Sequence, residues 1–374
     1  ASVTIFLVLS YRMHHKYLSI LINFLKSELN SLQKSINIVS CALKNLAIMN
    51  KFKYYFILLI TTVSLFSCSK DDAAEIEPPR DYAAQLATDL TDIEEYLKTY
   101  SITVLNHPGF ADDQDVTFTK IPTGGTAPSI YSYLNSTTFP KLLSKEVKLH
   151  DITYKLYYLV VREGVGEKPS NVDGVLAAYK GDYLDRQTVS EVTALTATQF
   201  EEVKNPQQFL SLFSTITGWG ETFPEFKVGT YSSNADGTVS YNDFGAGIMF
   251  IPSGLGYYNS GSASIPAYAP LVFSFKLFAI SRLDSDNDGI MNFQEDVNGD
   301  GYMRILATGV VNPDDTDGDG IPNFLDADDD GDGVSTKTEI TGANGVLIPF
   351  ADIPSCDGNT TDPARVKRHL VKCN

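Results

Sequence analysis

Histidine is nearly missing from this chain. Five occur in 374 residues, and none lies between His150 and His369. A histidine-based triad is therefore excluded from the middle of the sequence. Cysteine is scarce too. Cys41, Cys68, Cys356 and Cys373 are the four, and no two form a C-x-x-C pair, which argues against zinc. Basic residues number 29 against 46 acidic, a net charge of −17. Phosphate binding needs clustered Lys and Arg, so no nucleic acid is expected as a partner. The fingerprints of a P-loop, a nucleophile elbow and a Rossmann turn are also absent.

What is present is unevenly spread. Lys51 and Lys53 precede an apolar run from Tyr54 to Phe66. That is the layout of a secretory signal, and the run is shorter than the roughly 20 residues of a membrane span. It ends in Leu65-Phe66-Ser67-Cys68, which resembles the lipobox of bacterial lipoproteins, where the cysteine is acylated and becomes the mature N-terminus. Ser69-Lys70-Asp71-Asp72 resembles the acidic tag that sends some lipoproteins to the outer face of the outer membrane. The expectation is a chain lipid-anchored to the outer membrane through Cys68, on its periplasmic or cell-surface face. An uncleaved anchor helix is the alternative. Met49 then reads as the start, with residues 1–48 an upstream extension and 49–67 the signal peptide.

Residues 68–149 read as a tether and an N-terminal helical region. Asp81 to Tyr100 places Leu86, Leu90, Ile93 and Leu97 at three- or four-residue steps, an amphipathic helix. It packs on its own domain or, alternatively, forms a homodimer. From Tyr154 the texture turns to strands: Tyr154–Val161, Val172–Tyr179 and Leu271–Ile280, the last alternating as a half-buried antiparallel strand should.

The order of motifs in this region resembles the FKBP-type peptidyl-prolyl cis-trans isomerases. Gly164-Val165-Gly166-Glu167-Lys168-Pro169 matches an opening turn, and Ala178-Tyr179-Lys180-Gly181 a strand. Ile216-Thr217-Gly218-Trp219 and Lys227-Val228-Gly229 match the helix start and exit. Ile251-Pro252-Ser253-Gly254-Leu255-Gly256-Tyr257 and Ile265 to Phe273 match the last two. The resemblance implies an α+β fold over residues 150–282, an antiparallel sheet wrapped on a short helix. It also implies a proline pocket with no catalytic cofactor. Trp219 would be its floor, Tyr179, Ile216 and Phe273 its walls, Tyr257 a donor to the peptide carbonyl and Ile265 its rim. The substrates implied are proline-containing unfolded or nascent exported polypeptides. Where the family has Phe-Asp, Val189-Ser190 is expected to stand, and 191–208 and 230–245 read as insertions. That departure leaves open a catalytically weak chaperone or binding protein. The aromatics could also be plain core.

Between Leu283 and residue 340 aspartate dominates. Asp284, Asp286, Asp288, Gly289, Ile290, Asn292 and Glu295 match the twelve-residue EF-hand loop in spacing. Carboxylates at positions 1, 3 and 5 converge, glycine at 6 permits the bend, and position 7 offers a carbonyl. Position 9 acts through water, and position 12 closes the site. Asp328, Asp330, Asp332, Val334, Thr336 and Glu339 repeat the pattern. Asp315, Asp317, Asp319, Ile321, Asn323 and Asp326 repeat it with a shorter closing acid. Asp296, Asn298 and Asp300 start it again, but Ala307 holds position 12, so this half-loop must lean on a neighbour. The close stacking resembles thrombospondin type 3 repeats. Structural calcium is the expected cofactor, an acidic linker the alternative, and a calcium-dependent adhesive role a third reading of the whole. The irregular calcium-loop module is expected to extend the domain as a rigid spacer whose loss would leave the pocket intact. In the tail, 341–374, Cys356 and Cys373 flank a helix-like Asp362–Leu370. A disulfide between them would contribute roughly 3 kcal/mol; two free thiols are the alternative.

Overall fold

The computed structural model describes residues 78–373. Residues 1–77, including the signal and Cys68, lie outside the described residues. The first helix, α1 (Tyr82–Thr99), starts where the Asp81 carboxylate accepts the Ala84 N–H at 2.9 Å. It ends where Tyr100 turns extended into β1 (Tyr100–Val104), which pairs with β2 (Val116–Lys120).

The centre is an antiparallel sheet. Its strands are β3 (Lys141–Leu149), β4 (Ile152–Arg162), β5 (Gly174–Val189), β6 (Val192–Val203), β7 (Leu210–Ser211), β10 (Gly245–Ile251) and β11 (Leu271–Ser281). Their order is β3-β4-β10-β11-β5-β6, with β7 on β5. Side chains alternate between two cores, as the period of two requires. Leu156, Tyr158 and Val160 join Trp219, Phe223, Phe273 and Phe275 on one face. Tyr157 and Leu159 join Ile93, Leu97, Ile248 and Phe250 on the other. Strand β10 is buried at every residue, a central strand covered on both sides.

Three expectations change here. The sheet begins at Lys141 rather than at residue 150. The apolar face of α1 packs on the chain's own sheet, with Ile93 and Leu97 fully buried and Leu86 and Leu90 partly so. The stretch read as an insertion at 191–208 holds a strand, residues 192–203, paired along its length with β5. The hairpin turns at Ser190 and Glu191, both at positive φ, as a two-residue type I′ loop demands. The other supposed insertion holds a second hairpin, β8 (Thr230–Ser233) with β9 (Val239–Asn242).

The short helix α2 (Thr217–Thr222) sits against the first face. Gly218 is required by close packing: a Cβ there would lie 2.5 Å from Ile251 Cγ2 on β10. The aspartate loops then fold back onto the domain. Val172 buries against Met303 and Phe324. The Asn171 amide bonds both backbone groups of Met303, at 2.6 and 2.9 Å. The Arg304 guanidinium reaches the buried Glu221 carboxylate of α2 at 2.8 Å, and the Tyr302 hydroxyl donates to Glu225 at 2.9 Å. The module is therefore no free spacer; it braces the helix that carries Trp219. Beyond α3 (Thr336–Glu339), Cys356 and Cys373 are bonded, with Cα atoms 5.4 Å apart. The helix expected over Asp362–Leu370 is reduced to a 3-10 turn at Arg368–Leu370.

Candidate functional site

An aromatic cup of about 520 Å³ opens beside α2. Trp219, 4% exposed, forms its base because Ile216 turns the chain into α2 and Gly218 lets the helix lie on β10. Its ring meets Tyr179 edge-on at 4.9 Å and Phe273 at 5.2 Å. The register puts Tyr179 opposite Phe275 and Gly181 opposite Phe273, so the two strands deliver these rings side by side. Ile216 and Tyr257 complete the cup from the loops at either side. Five of the six residues expected for the pocket line it. Ile265 does not: it is buried in the core beneath the loop that follows Tyr257.

Among the lining residues not foreseen, two are aromatic or acidic. Phe200 stands edge-on to Phe273 at 5.5 Å, and Glu201 follows it. Both come from the end of β6. The resemblance had assigned an aromatic-acid pair at the pocket to Val189-Ser190. Val189 is 69% exposed at the far hairpin tip, so that assignment was wrong. The signal was there as Phe200-Glu201 at the end of an alternating run, but the long hairpin displaced it along the sequence.

The electrostatics favour neutral phenols. Burial first, and then the Glu201 charge, pushes the Tyr179 hydroxyl up to about 12. Burial and Glu201 raise Tyr257 as well. Both hydroxyls therefore stay protonated and can donate. The Trp219 indole N–H is buried without a partner. Helix α1 supports the cup from behind: both the N–H and the hydroxyl of Ser253 donate to the buried Asp89 carboxylate at 2.7 Å, which fixes the turn leading to Tyr257.

The aspartate loops form a second assembly. In all four, the position-6 glycine has positive φ and donates to the first aspartate: Gly289 to Asp284, Gly301 to Asp296, Gly320 to Asp315 and Gly333 to Asp328. Positions 3 and 5 likewise accept the N–H two residues on, as at Asp286, Asn298, Asp317 and Asp330. The same pattern at Asp288, Asp300, Asp319 and Asp332 turns Ile290, Tyr302, Ile321 and Val334 into position. Each loop thus aims its acids inward by its own backbone. One oxygen from each of Asp284, Asp286 and Asp288 converges within 4.8 Å; so do those of Asp315, Asp317 and Asp319, and of Asp328, Asp330 and Asp332.

Asn292 and Asn323 depart from their expected ligand roles. The Asn292 amide accepts from Ser285 N–H at 2.8 Å and donates to Ser285 Oγ and the Val172 carbonyl. Asn323 does the same to Thr316. They staple the loops rather than face the acids. Asp314, missed in the sequence, stands by the incomplete Asp296 loop and accepts from Val297 N–H at 2.9 Å.

A cation fits these loops. Buried oxygens of Asp284, Asp286, Asp288, Glu295, Asp328 and Asp330 have no hydrogen-bond partner. Burial, then the Asp286 and Asp288 charges, pushes the Glu295 carboxyl up to about 11. Burial and neighbouring acids also push Asp286 and Glu339 up to about 7. Carboxylates this dry and crowded ionise together only around a cation, and an all-oxygen set suits a hard divalent ion.

A family profile described as BamM C-terminal matches residues 285–363. The FKBP-type peptidyl-prolyl cis-trans isomerase FkpA of Aeromonas hydrophila is 31% identical over 136 residues, 36% of this chain and 41% of that protein. The chain is therefore similar to an FKBP-type isomerase, over less than half of that relative's length. Among solved structures, a peptidyl-prolyl isomerase of Pseudomonas syringae pv. tomato aligns with TM-score 0.29 and 17% identity, over 55% of this chain and 99% of that one. FkpA of Escherichia coli aligns with TM-score 0.28 and 18% identity, over 67% and 81%.

Proposed function

We propose that the chain is a peptidyl-prolyl cis-trans isomerase, a folding helper working outside the cytoplasm on proline-containing unfolded or nascent exported polypeptides. The cup of Trp219, Tyr179, Phe200, Phe273, Ile216 and Tyr257 carries this reading. Rotation about X–Pro faces a barrier of roughly 18–20 kcal/mol. The twisted amide has lost resonance and charge separation, so a dry aromatic wall favours it over the planar, better hydrated ground state. Tyr257, protonated, donates to the peptide carbonyl while the proline ring rests on Trp219. Glu201 lies beside the Tyr179 hydroxyl and orients it. The binding-protein alternative drew chiefly on Val189-Ser190, and Phe200-Glu201 in the cup supports the isomerase reading over it.

Calcium in the aspartate loops is the second part of the proposal, supported by the unpartnered buried oxygens. Bound there, it neutralises charge and orders backbone, and takes no part in the proline chemistry. Acylation of Cys68 and an outer-membrane address rest on the signal-like sequence, and an extracytoplasmic setting agrees with the disulfide. The test is a protease-coupled isomerisation assay on the full chain with calcium present. Wild type accelerates cis-to-trans conversion of an Ala-Ala-Pro-Phe peptide, and Tyr257→Phe and Trp219→Ala reduce it several-fold or more. A wild-type rate equal to the uncatalysed one refutes the isomerase reading.

A further inference from the structure

Asp329 belongs to no position that the loop pattern uses. It is the second residue of the last loop, where the motif leaves the side chain free to face solvent. Here it is 1% exposed. Its backbone N–H is held by the Thr336 hydroxyl at 3.2 Å, yet neither carboxylate oxygen has a partner. Across from it stand two acids of the first loop. Glu295 is 3% exposed with both oxygens unpartnered, and Asp288 is 2% exposed with Oδ2 unpartnered. One oxygen from each of the three lies within 4.8 Å of the others. This triad is separate from Asp284, Asp286 and Asp288, and the two share only Asp288.

We propose that Asp288, Glu295 and Asp329 hold a second divalent cation, beside the ion of the first loop and bridged to it by Asp288. The inference rests on the reading that the loops bind calcium and adds one ion to it. Charge balance favours two ions over one. Asp284, Asp286, Asp288, Glu295 and Asp329 bring five negative charges, three of them on buried residues, and one divalent ion leaves three charges uncompensated. The nearby Lys337 does not neutralise the triad directly; its Nζ donates to the Asn287 carbonyl at 2.9 Å. The donor set is entirely carboxylate oxygen and closed to water, which selects calcium over softer metals. Such an ion ties the first loop to the last. It sits beside the Ile290, Ile340 and Ile353 cluster, through which those two loops already touch.

Native mass spectrometry of the full chain titrated with calcium chloride tests this. Asp329→Asn should bind one ion fewer than wild type, while Glu146→Gln, an exposed acid outside the loops, binds the wild-type number. Glu295→Gln, which also removes the closing acid of the first loop, should bind at least one ion fewer. The stability of Asp329→Asn should also change sign. It melts above wild type in chelator, where a repelling charge has gone, and below wild type in calcium, where a ligand has gone. Undiminished ion count in Asp329→Asn, even with weaker binding, overturns the second ion. So does a melting shift of one sign in both conditions. A wild-type chain that binds no calcium at all refutes the loop reading itself.

Discussion

Replacing Arg304 by Met would test whether the aspartate loops brace the aromatic cup. The Glu221 carboxylate is 4% exposed on α2, two residues from Trp219. It holds Lys145 at 2.9 Å and Arg304 at 2.8 Å. Arg304→Met keeps the aliphatic stem and removes the guanidinium, leaving one buried oxygen unmatched. A hydrogen bond to a charged group contributes about 1.5–3 kcal/mol. The Arg304 side chain is 36% exposed, and solvent screening brings this to about 1–2 kcal/mol. That corresponds to roughly a 5- to 30-fold rise in the unfolded fraction. Trp219 is the only tryptophan in the sequence, so its emission reports the cup directly. Urea unfolding followed at Trp219 should show the loss in calcium. In chelator the loop that delivers Arg304 is no longer held by its acids, so wild type and Arg304→Met should converge. Equal destabilisation with and without chelator, or no response of Trp219 to chelation, would refute the brace.

Three further expectations follow from the same contacts. Glu201→Gln should lower the isomerisation rate several-fold while Ser190→Asp leaves it unchanged; the reverse order would restore Val189-Ser190 to the pocket. Burial pushes the Asp89 carboxyl from 3.8 up to about 6 despite its bonds from Ser253 and Gln85. The folded state then keeps a proton that the unfolded state has released, so stability falls as pH rises from about 4 to about 6 and is level above. The drop is at most about 3 kcal/mol, and Asp89→Asn should abolish that slope in urea titrations across the window. Cys356→Ser should lower the unfolding midpoint, since a closed loop of this length contributes about 3 kcal/mol; an unchanged midpoint would mean the tail unfolds independently.

The aspartate loops were legible because their geometry is local. Glycine at position 6 and aspartate or asparagine at 1, 3 and 5 are fixed by backbone bonds within six residues, and the four loops share them. Trp219 was legible for a similar reason: Ile216, Gly218 and Trp219 act within one short turn. Asn292 and Asn323 misled because an amide at position 9 can face inward or staple the strand before it. Only the Ser285 and Thr316 contacts decide which.

What the sequence by itself determined is therefore the local character of each segment: aromatic residues grouped around Trp219, and aspartates set in turns of one repeated geometry. What tertiary structure decided is which segments meet. Strand pairing carried Phe200 and Glu201 into the cup from the far end of a twelve-residue strand. Folding back of the loops set Arg304 on Glu221 and Asp329 on Glu295. Such pairings depend on register and on shared burial between distant residues. Neither leaves a periodic mark in the chain, because the partner of each side chain is chosen by the fold.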